Sequence, residues 1–414
     1  MDELRRNIIV CHKMLDMIRI RKNIEAPVEA LKDDLEISRS TADGLYKRLL
    51  GGDSVPSLIM REGRSSKIIG ERGYFLGVSI GSKHIRTTLL DLKFDPVPHE
   101  QLLTFPVLKN LLGLNAELEK ELGPLENGQD RFRRENDGFS CVFQSPDDSE
   151  KKLDAIRFFV PRLVKLFVEQ AEQAGDAFPL MGIGFALSGP VDYEEKLWRS
   201  APHITNVQGI TLSDLLGYEL LQRIDALELF LSLDNNSKAS VVSEYQYLME
   251  KNGGSYHEDV AVIYIGSGVG SAAVLDQKLL RGSHNLSGEL GHIRLEGGKT
   301  IEQYLIDSEN HQNYIPLVLN MINCLLGIDS FILVGHDVRS SRNLILALMD
   351  DRLKFTVTST QQYCKAESGR CQASTAAIGA AMEAYFSMCG YDLQSGSSGR
   401  INLAKDIEWH CIKG

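Results

Sequence analysis

Three short segments of the 414-residue chain concentrate groups able to do chemistry. Gly288-Glu289-Leu290-Gly291-His292 sets a carboxylate and an imidazole three residues apart, so both reach one cavity from a single turn. Asp234-Asn235-Asn236 closes the β-rich run Leu229–Leu233 and precedes a helical pattern through Leu248. Carboxylates, amides and imidazoles take hydroxyl pairs in bidentate fashion. Gly266-Ser267-Gly268-Val269-Gly270 follows the apolar run Val260–Ile265, and its small residues let a hairpin turn tightly. Earlier, the buried run Met181–Leu187 ends in Ser188-Gly189-Pro190-Val191-Asp192. Strand ends carrying Gly or Asn are where α/β folds place ligands.

The elements that must hold these groups follow from periodicity. Residues 73–92 read as a β-hairpin turning at Gly81-Ser82. Residues 153–174 put Ile156, Phe159, Val160, Leu163 and Phe167 on one helix face. Residues 117–152 are polar and charged and read as an inserted, solvated surface loop, with partner docking as the alternative. At this length two to four domains are expected. The composition, 43% apolar and 24% charged, is that of a soluble globular protein. No apolar run is long enough to span a membrane. Carboxylates at Asp2 and Glu3 argue against a signal peptide. The seven cysteines are scattered without a CxxC pair, so a reduced, cytoplasmic protein is expected.

The net charge of −11 argues against a chain coated for nucleic-acid binding, yet it is unevenly spread. Residues 1–70 carry 13 Lys and Arg against 11 Asp and Glu, whereas the remainder carries 32 against 45. Within this head, residues 4–20 form an amphipathic pattern, Pro27 opens a short helix to Leu35, and Ser38 or Ser40 caps a third helix to about Leu50 with Ala42, Leu45 and Leu49 inward. Val55–Met60 and Ser66–Ile69 read as two wing strands. The order predicts a winged helix-turn-helix over residues 1–70. Its third helix would bring Arg39, Ser40 and Thr41 to base edges of double-stranded operator DNA. Lys47 and Arg48 would lie nearer phosphates, and Arg64 sits on the wing. A helical cap or dimerisation module is the alternative.

The body resembles the ROK family (repressor, open reading frame, kinase). The resemblance rests on Gly182-Ile183-Gly184 through Asp192, Ala201-Pro202-His203, Asn235 to Glu244, the Gly266–Gly270 turn, Gly288–His292, Gly335-His336 and Ile378-Gly379-Ala380-Ala381, in family order over nearly the whole chain. It implies an α/β, actin/hexokinase-like (ribonuclease H-like) two-lobed fold with the winged head of the family's regulators, such as repressors of the N-acetylglucosamine and xylose type. One lobe is expected over 71–233 plus 375–414. The second, for sugar binding and dimerisation, is expected over 234–374.

The resemblance implies a sugar contacted by Asn235, Asn236, Glu289, His292 and Glu302, with Gly81, Gly266, Gly268 and Gly270 as phosphate-loop remnants. It also exposes departures. Asn236 stands where kinase members carry the Asp that deprotonates the sugar, and an amide cannot accept that proton. Ser79 stands where the first phosphate loop carries an Asp that helps position Mg²⁺. His336 replaces the second glycine of the late turn. No cysteine lies between Cys141 and Cys324, so the family's zinc cluster is not expected, and neither is ATP with Mg²⁺. These residues point to a non-enzymatic, sugar-responsive repressor, a homodimer or tetramer without membrane contact. A sugar kinase with a vestigial head is the alternative, and a sensor acting through protein partners is a third reading.

Overall fold

The structure is a computed structural model that describes residues 3–21, 27–52, 56–122, 130–135, 138–142, 149–254, 258–265, 268–334, 356–359 and 375–389. Its N-terminal part holds α1 (Glu3–Arg21), α2 (Pro27–Asp34) and α3 (Arg39–Leu50), then a hairpin of β1 (Ile59–Glu62) and β2 (Ser65–Ile68). Ser38 caps α3 by accepting the Thr41 N–H at 3.1 Å, and Gly51 ends it at a φ of 75°. The inward face of α3 is Ala42, Tyr46 and Leu49, with Leu45 only partly covered. Tyr46 turns inward because its hydroxyl meets Ser66 Oγ of the hairpin at 2.6 Å. Helix α1 is buried on nearly every side, Asp16 and Arg19 included, because α3 covers one face and the body the other. Its Ile8, Leu15 and Ile18 share one apolar cluster with Leu49 of α3 and with Phe75, Phe94 and Tyr385 of the body.

The first sheet begins with the expected hairpin, β3 (Tyr74–Ile80) and β4 (His84–Leu90). It continues past α4 (His99–Leu102) and α5 (Gly113–Leu122) to β5 (Phe132–Glu135) and β6 (Gly138–Val142). Then come α6 (Ser149–Ala174), β7 (Leu180–Leu187), a small antiparallel sheet of β8 (Val191–Asp192), β9 (Leu197–Ser200) and β10 (Gln208–Thr211), the helices α7 (Leu212–Leu216) and α8 (Tyr218–Ala226), and β11 (Phe230–Asn235). The strand order is β11-β7-β3-β4-β6-β5, parallel across β11, β7 and β3.

The expectation of a solvated loop over 117–152 is therefore corrected for the described residues of that region. Ile85 pairs with Cys141 and Thr87 with Phe139, so β6 and β5 extend the sheet. Phe132, Phe139 and Cys141 are buried, with Phe159 of α6 against Phe132. Arg131, Arg133 and Arg134 mask this alternation in the sequence, and Arg131 is itself buried, donating to Val142 O at 3.3 Å.

The second sheet follows α9 (Asn236–Lys251). It holds β12 (Val260–Ile265), β13 (Val269–Leu275), β14 (Lys278–Leu279), then, after α10 (Ile301–Leu305) and α11 (His311–Leu326), β15 (Ser330–Val334) and β16 (Thr356–Ser359). Their order is β14-β13-β12-β15-β16. Helix α12 (Thr375–Met388) returns to the first sheet and packs on β3 and β7, while α9 packs on both α12 and β12–β13. A Cβ on Gly184 of β7 would overlap Ala380 O, and one on Gly379 would overlap Ala239 O, so the small-residue run of α12 is what lets sheet, α12 and α9 close up. β11 carries Asp234 and Asn235 to its end within the first sheet, two residues past the boundary expected at 233. No helix among the described residues is long and apolar enough to cross a membrane.

Candidate functional site

The C-terminal ends of β3, β7 and β11 face Gly268–Gly270 at the start of β13 across a small open cleft with a cavity volume of about 70 Å³. Gly81, Gly189, Asn235 and Asn236 line one wall, and Gly268, Gly270, Glu289, His292 and Glu302 the other. The expected sugar-contacting residues are thus brought to one cavity. Gly266 and the Gly335-His336 turn lie outside the described residues.

Asn235 caps α9: its Oδ1 accepts the Ser237 N–H at 2.8 Å and its Nδ2 donates to Gly189 O at 2.8 Å. Asn236 faces the first loop instead. Ser79 Oγ donates to Asn236 Oδ1 at 2.9 Å, and Asn236 Nδ2 donates to Ile80 O at 3.1 Å. The two positions where the resemblance implies carboxylates are therefore neutral and bonded to each other. This corner offers no carboxylate to hold Mg²⁺ or take a proton. Asp234 is no substitute, since it is fully buried, pairs with Arg281 and accepts from Asn285 Nδ2 at 2.8 Å.

Glu289 and His292 lie on one turn, 3.6 Å apart. The Glu289 carboxylate accepts no hydrogen bond among the described residues, while its backbone carbonyl accepts the His292 N–H at 3.2 Å. Burial raises its carboxyl above the ordinary range, Lys238 and His292 pull it down, and Glu302 pushes it up again. Lys238 beneath it donates to Asn285 O and Ser287 O, each at 3.0 Å. Glu302 is held on both sides: Oε2 accepts the Val269 N–H at 2.9 Å and Oε1 lies 3.1 Å from His203 Nε2. Burial would raise Glu302, but the His203 contact, the Val269 N–H and the nearby imidazoles outweigh it and hold the carboxyl below its ordinary value. A Cβ on Gly268 would come within 3.1 Å of both Glu302 Oε2 and His203 Nε2, so a side chain there would press on this pair. His203 is the site residue that sequence reasoning missed; it stood in the quoted Ala201-Pro202-His203 signature without an assigned role.

The loop from His292 to Glu302 holds its shape without metal ligands. Leu295 N donates to Lys299 O at 2.9 Å, and Thr300 and Gln303 form a capping box at the start of α10. A thiolate zinc cluster does not fit a loop with no cysteine. No group of three His, Cys, Asp or Glu among the described residues is arranged for a metal ion.

On the N-terminal hairpin and α3, Arg39 and Ser40 are exposed beside the half-covered Thr41, and Arg64 is exposed at the hairpin tip. Arg39 Nε lies 3.0 Å from Glu29, and Lys47 lies 2.6 Å from Asp43. Arg48, expected near phosphates, turns to α1: Nε donates to Asn7 Oδ1 at 2.7 Å and Nη2 to Glu3 at 3.0 Å.

Residues 154–313 match the sequence profile of the ROK family. That matched stretch is similar to a ROK family domain. Among curated proteins it is similar to the glucokinase of Thermotoga maritima, 26% identical over 145 residues, covering 35% of this chain and 40% of that one. It is also similar to the glucokinase of Streptomyces coelicolor, 25% identical over 134 residues, covering 32% and 38%. The chain spans about two fifths of the length of these relatives. Among solved structures it resembles a ROK family transcriptional regulator described as a homolog of the E. coli MLC protein, with a TM-score of 0.54 and 14% identity over 92% of this chain and all of that one. That likeness shows the fold.

Proposed function

We propose that the chain is a cytoplasmic, sugar-responsive transcriptional repressor of carbohydrate genes. A sugar or sugar derivative binds in the cleft between Asn235, Glu289, His292 and Glu302. Residues 1–70 bind double-stranded operator DNA through α3 and the β1–β2 wing, and two heads act together in a homodimer. Sugar binding changes operator affinity without phosphoryl transfer. The observation that carries this reading is the Ser79–Asn236 hydrogen bond, which leaves the phosphate corner with neither a base nor a Mg²⁺ carboxylate. The test is to incubate the purified protein with sheared DNA of its source genome at about 0.15 M salt and sequence what is retained. Enrichment of a few palindromic sites near sugar-uptake or sugar-breakdown genes supports the reading; no enrichment with or without a sugar mixture contradicts it.

The glucokinase relatives favour a second reading, an ATP-dependent sugar kinase. Sugar-dependent ADP release that disappears in Asn236→Ala would establish it.

A further inference from the structure

Beneath the cleft lies a buried set of charges that binding the sugar does not use. Asp234 at the end of β11, Lys238 on α9 and Glu383 on α12 are all fully buried, and Arg281 is nearly so. Arg281 Nη1 donates to Asp234 Oδ2, and to Asn285 Oδ1 at 3.0 Å, and its guanidinium stacks on Tyr193 at 3.9 Å. Toward Glu383 the pairing is incomplete. Arg281 Nη2 stops 3.8 Å from Glu383 Oε1, and Nη2 and Nε have no hydrogen-bond partner, while Glu383, its carboxyl raised, shares a side-chain hydrogen bond with Asp234. Buried guanidinium donors left unmade are costly and need a reason. A movement of about 1 Å would complete the bond.

Both ends of this set lead to functional residues. Asp234 Oδ1 accepts the Asn235 N–H at 2.7 Å, and the 281–287 loop, pinned by Lys238, leads directly into Glu289. On the far side Glu383 stands two residues from Tyr385 on the same helix. The Tyr385 hydroxyl donates to Asp16 of α1 at 2.9 Å. Asp16 pairs with Arg19, whose guanidinium lies 3.7 Å over Phe94 and 4.8 Å from Tyr385, and donates to Leu92 O at 2.9 Å. α1 in turn holds α3 through Asn7 and Arg48.

We propose that Arg281 is a two-position pin, pairing with Asp234 in this structure and with Glu383 when the Glu289 wall moves. The exchange shifts α12, and Tyr385 passes the shift to α1 and so to α3. A buried ion pair with two alternative partners is a bistable element that both sites bias. Burial, the neighbouring Asp234 charge and the hydrogen bond with Asp234 raise the Glu383 carboxyl, while Arg281 lowers it.

The proposal rests on the reading of residues 1–70 as a DNA-binding head, but its test needs neither DNA nor sugar. Asp234→Asn removes Arg281's present partner while keeping its shape, and Arg281→Lys removes the fork that spans both carboxylates. Amide hydrogen exchange over residues 3–21 is followed by mass spectrometry in the full chain. Each change should alter exchange of α1 at least about fivefold, the lower end of typical coupling between sites. Adding Glu383→Gln or Tyr385→Phe should reduce the change to within about twofold. The two perturbations and the two relay variants are independent, so misfolding of one leaves the other to decide. Wild-type exchange over α1 in the perturbed chains, or a change that persists in full with the relay removed, would overturn the proposal. A wild-type chain that retains no genomic DNA defeats the repressor reading alone.

Discussion

Ser79 and Asn236, 157 positions apart in the chain, share a 2.9 Å hydrogen bond at the inner corner of the cleft. The two departures from the kinase pattern are therefore one structural feature. A hydroxyl and an amide satisfy each other where two carboxylates would repel unless a metal or proton lay between them.

It follows that a single reversion does not create a kinase. Wild type should show sugar-dependent ADP release no higher than the background without sugar, since loss of a general base alone costs ~10²–10⁴-fold, and Asn236→Asp should show none either, because Ser79 still leaves the corner without its Mg²⁺ carboxylate. In Ser79→Asp/Asn236→Asp the carboxylates crowd each other, so one is raised above its unfolded value. Such a group's stabilisation is present at low pH and lost as pH rises through the raised value. Urea unfolding should find this double variant weaker than wild type by ~1–3 kcal/mol at pH 7, with the gap closing toward pH 4.

Glu289→Gln should separate stability from binding. Burial first, then Glu302, raises the Glu289 carboxyl against the pull of Lys238 and His292. Its contribution to stability is present below the ordinary value of 4.5 and lost as pH rises through the raised one. Removing the ionisable group should leave the variant as stable as wild type or more so at pH 7. Its sugar Kd, measured by calorimetry, should rise ~10-fold or more, because a hydrogen bond to a charged acceptor is worth ~1.5–3 kcal/mol.

His203→Ala tests whether His203 holds Glu302 in place. The His203 contact is the leading influence that keeps Glu302 below its ordinary value despite burial. A lowered carboxylate contributes above its unfolded value and is lost as pH falls through the folded one. Without His203, sugar binding should weaken by ~3–30-fold at pH 7. The acid limb of its pH profile should also move to higher pH. An unmoved limb would contradict this role.

In the head, Arg39 and Arg48 should behave differently. Arg39→Ala should weaken binding to a retained DNA fragment by ~1–3 kcal/mol, the value of a base-edge contact, with little change in melting temperature. Arg48→Ala breaks the α1–α3 joint and should lower stability by ~1 kcal/mol in thermal unfolding.

Parts of the cleft were legible from spacing and strand ends, while Glu302 and the sugar-contacting role came only from the resemblance to the ROK family. Asn235 ends a strand and caps a helix, and Glu289 and His292 share one turn. Periodicity gave the β3–β4 hairpin and the order of helices in the head. It failed at β5–β6, where arginines interrupt the apolar alternation and the strands are recognisable only from their partner β4. The Asp234–Arg281–Glu383 set was equally hidden, since its members are spread over 149 positions and meet only when α12 returns to the first sheet. Tyr46 is buried beside the partly covered Leu45 for a reason the helix period does not carry: its partner, Ser66, lies beyond the helix.

The most direct test of the central claim is a fluorescence titration of a retained genomic fragment with the protein, with and without the sugar that most raises its melting temperature, and with ATP present throughout. The account predicts that the sugar changes the Kd for DNA by about 5–150-fold while no ADP appears. An unchanged Kd together with sugar-dependent ADP release would contradict it and establish the kinase reading instead.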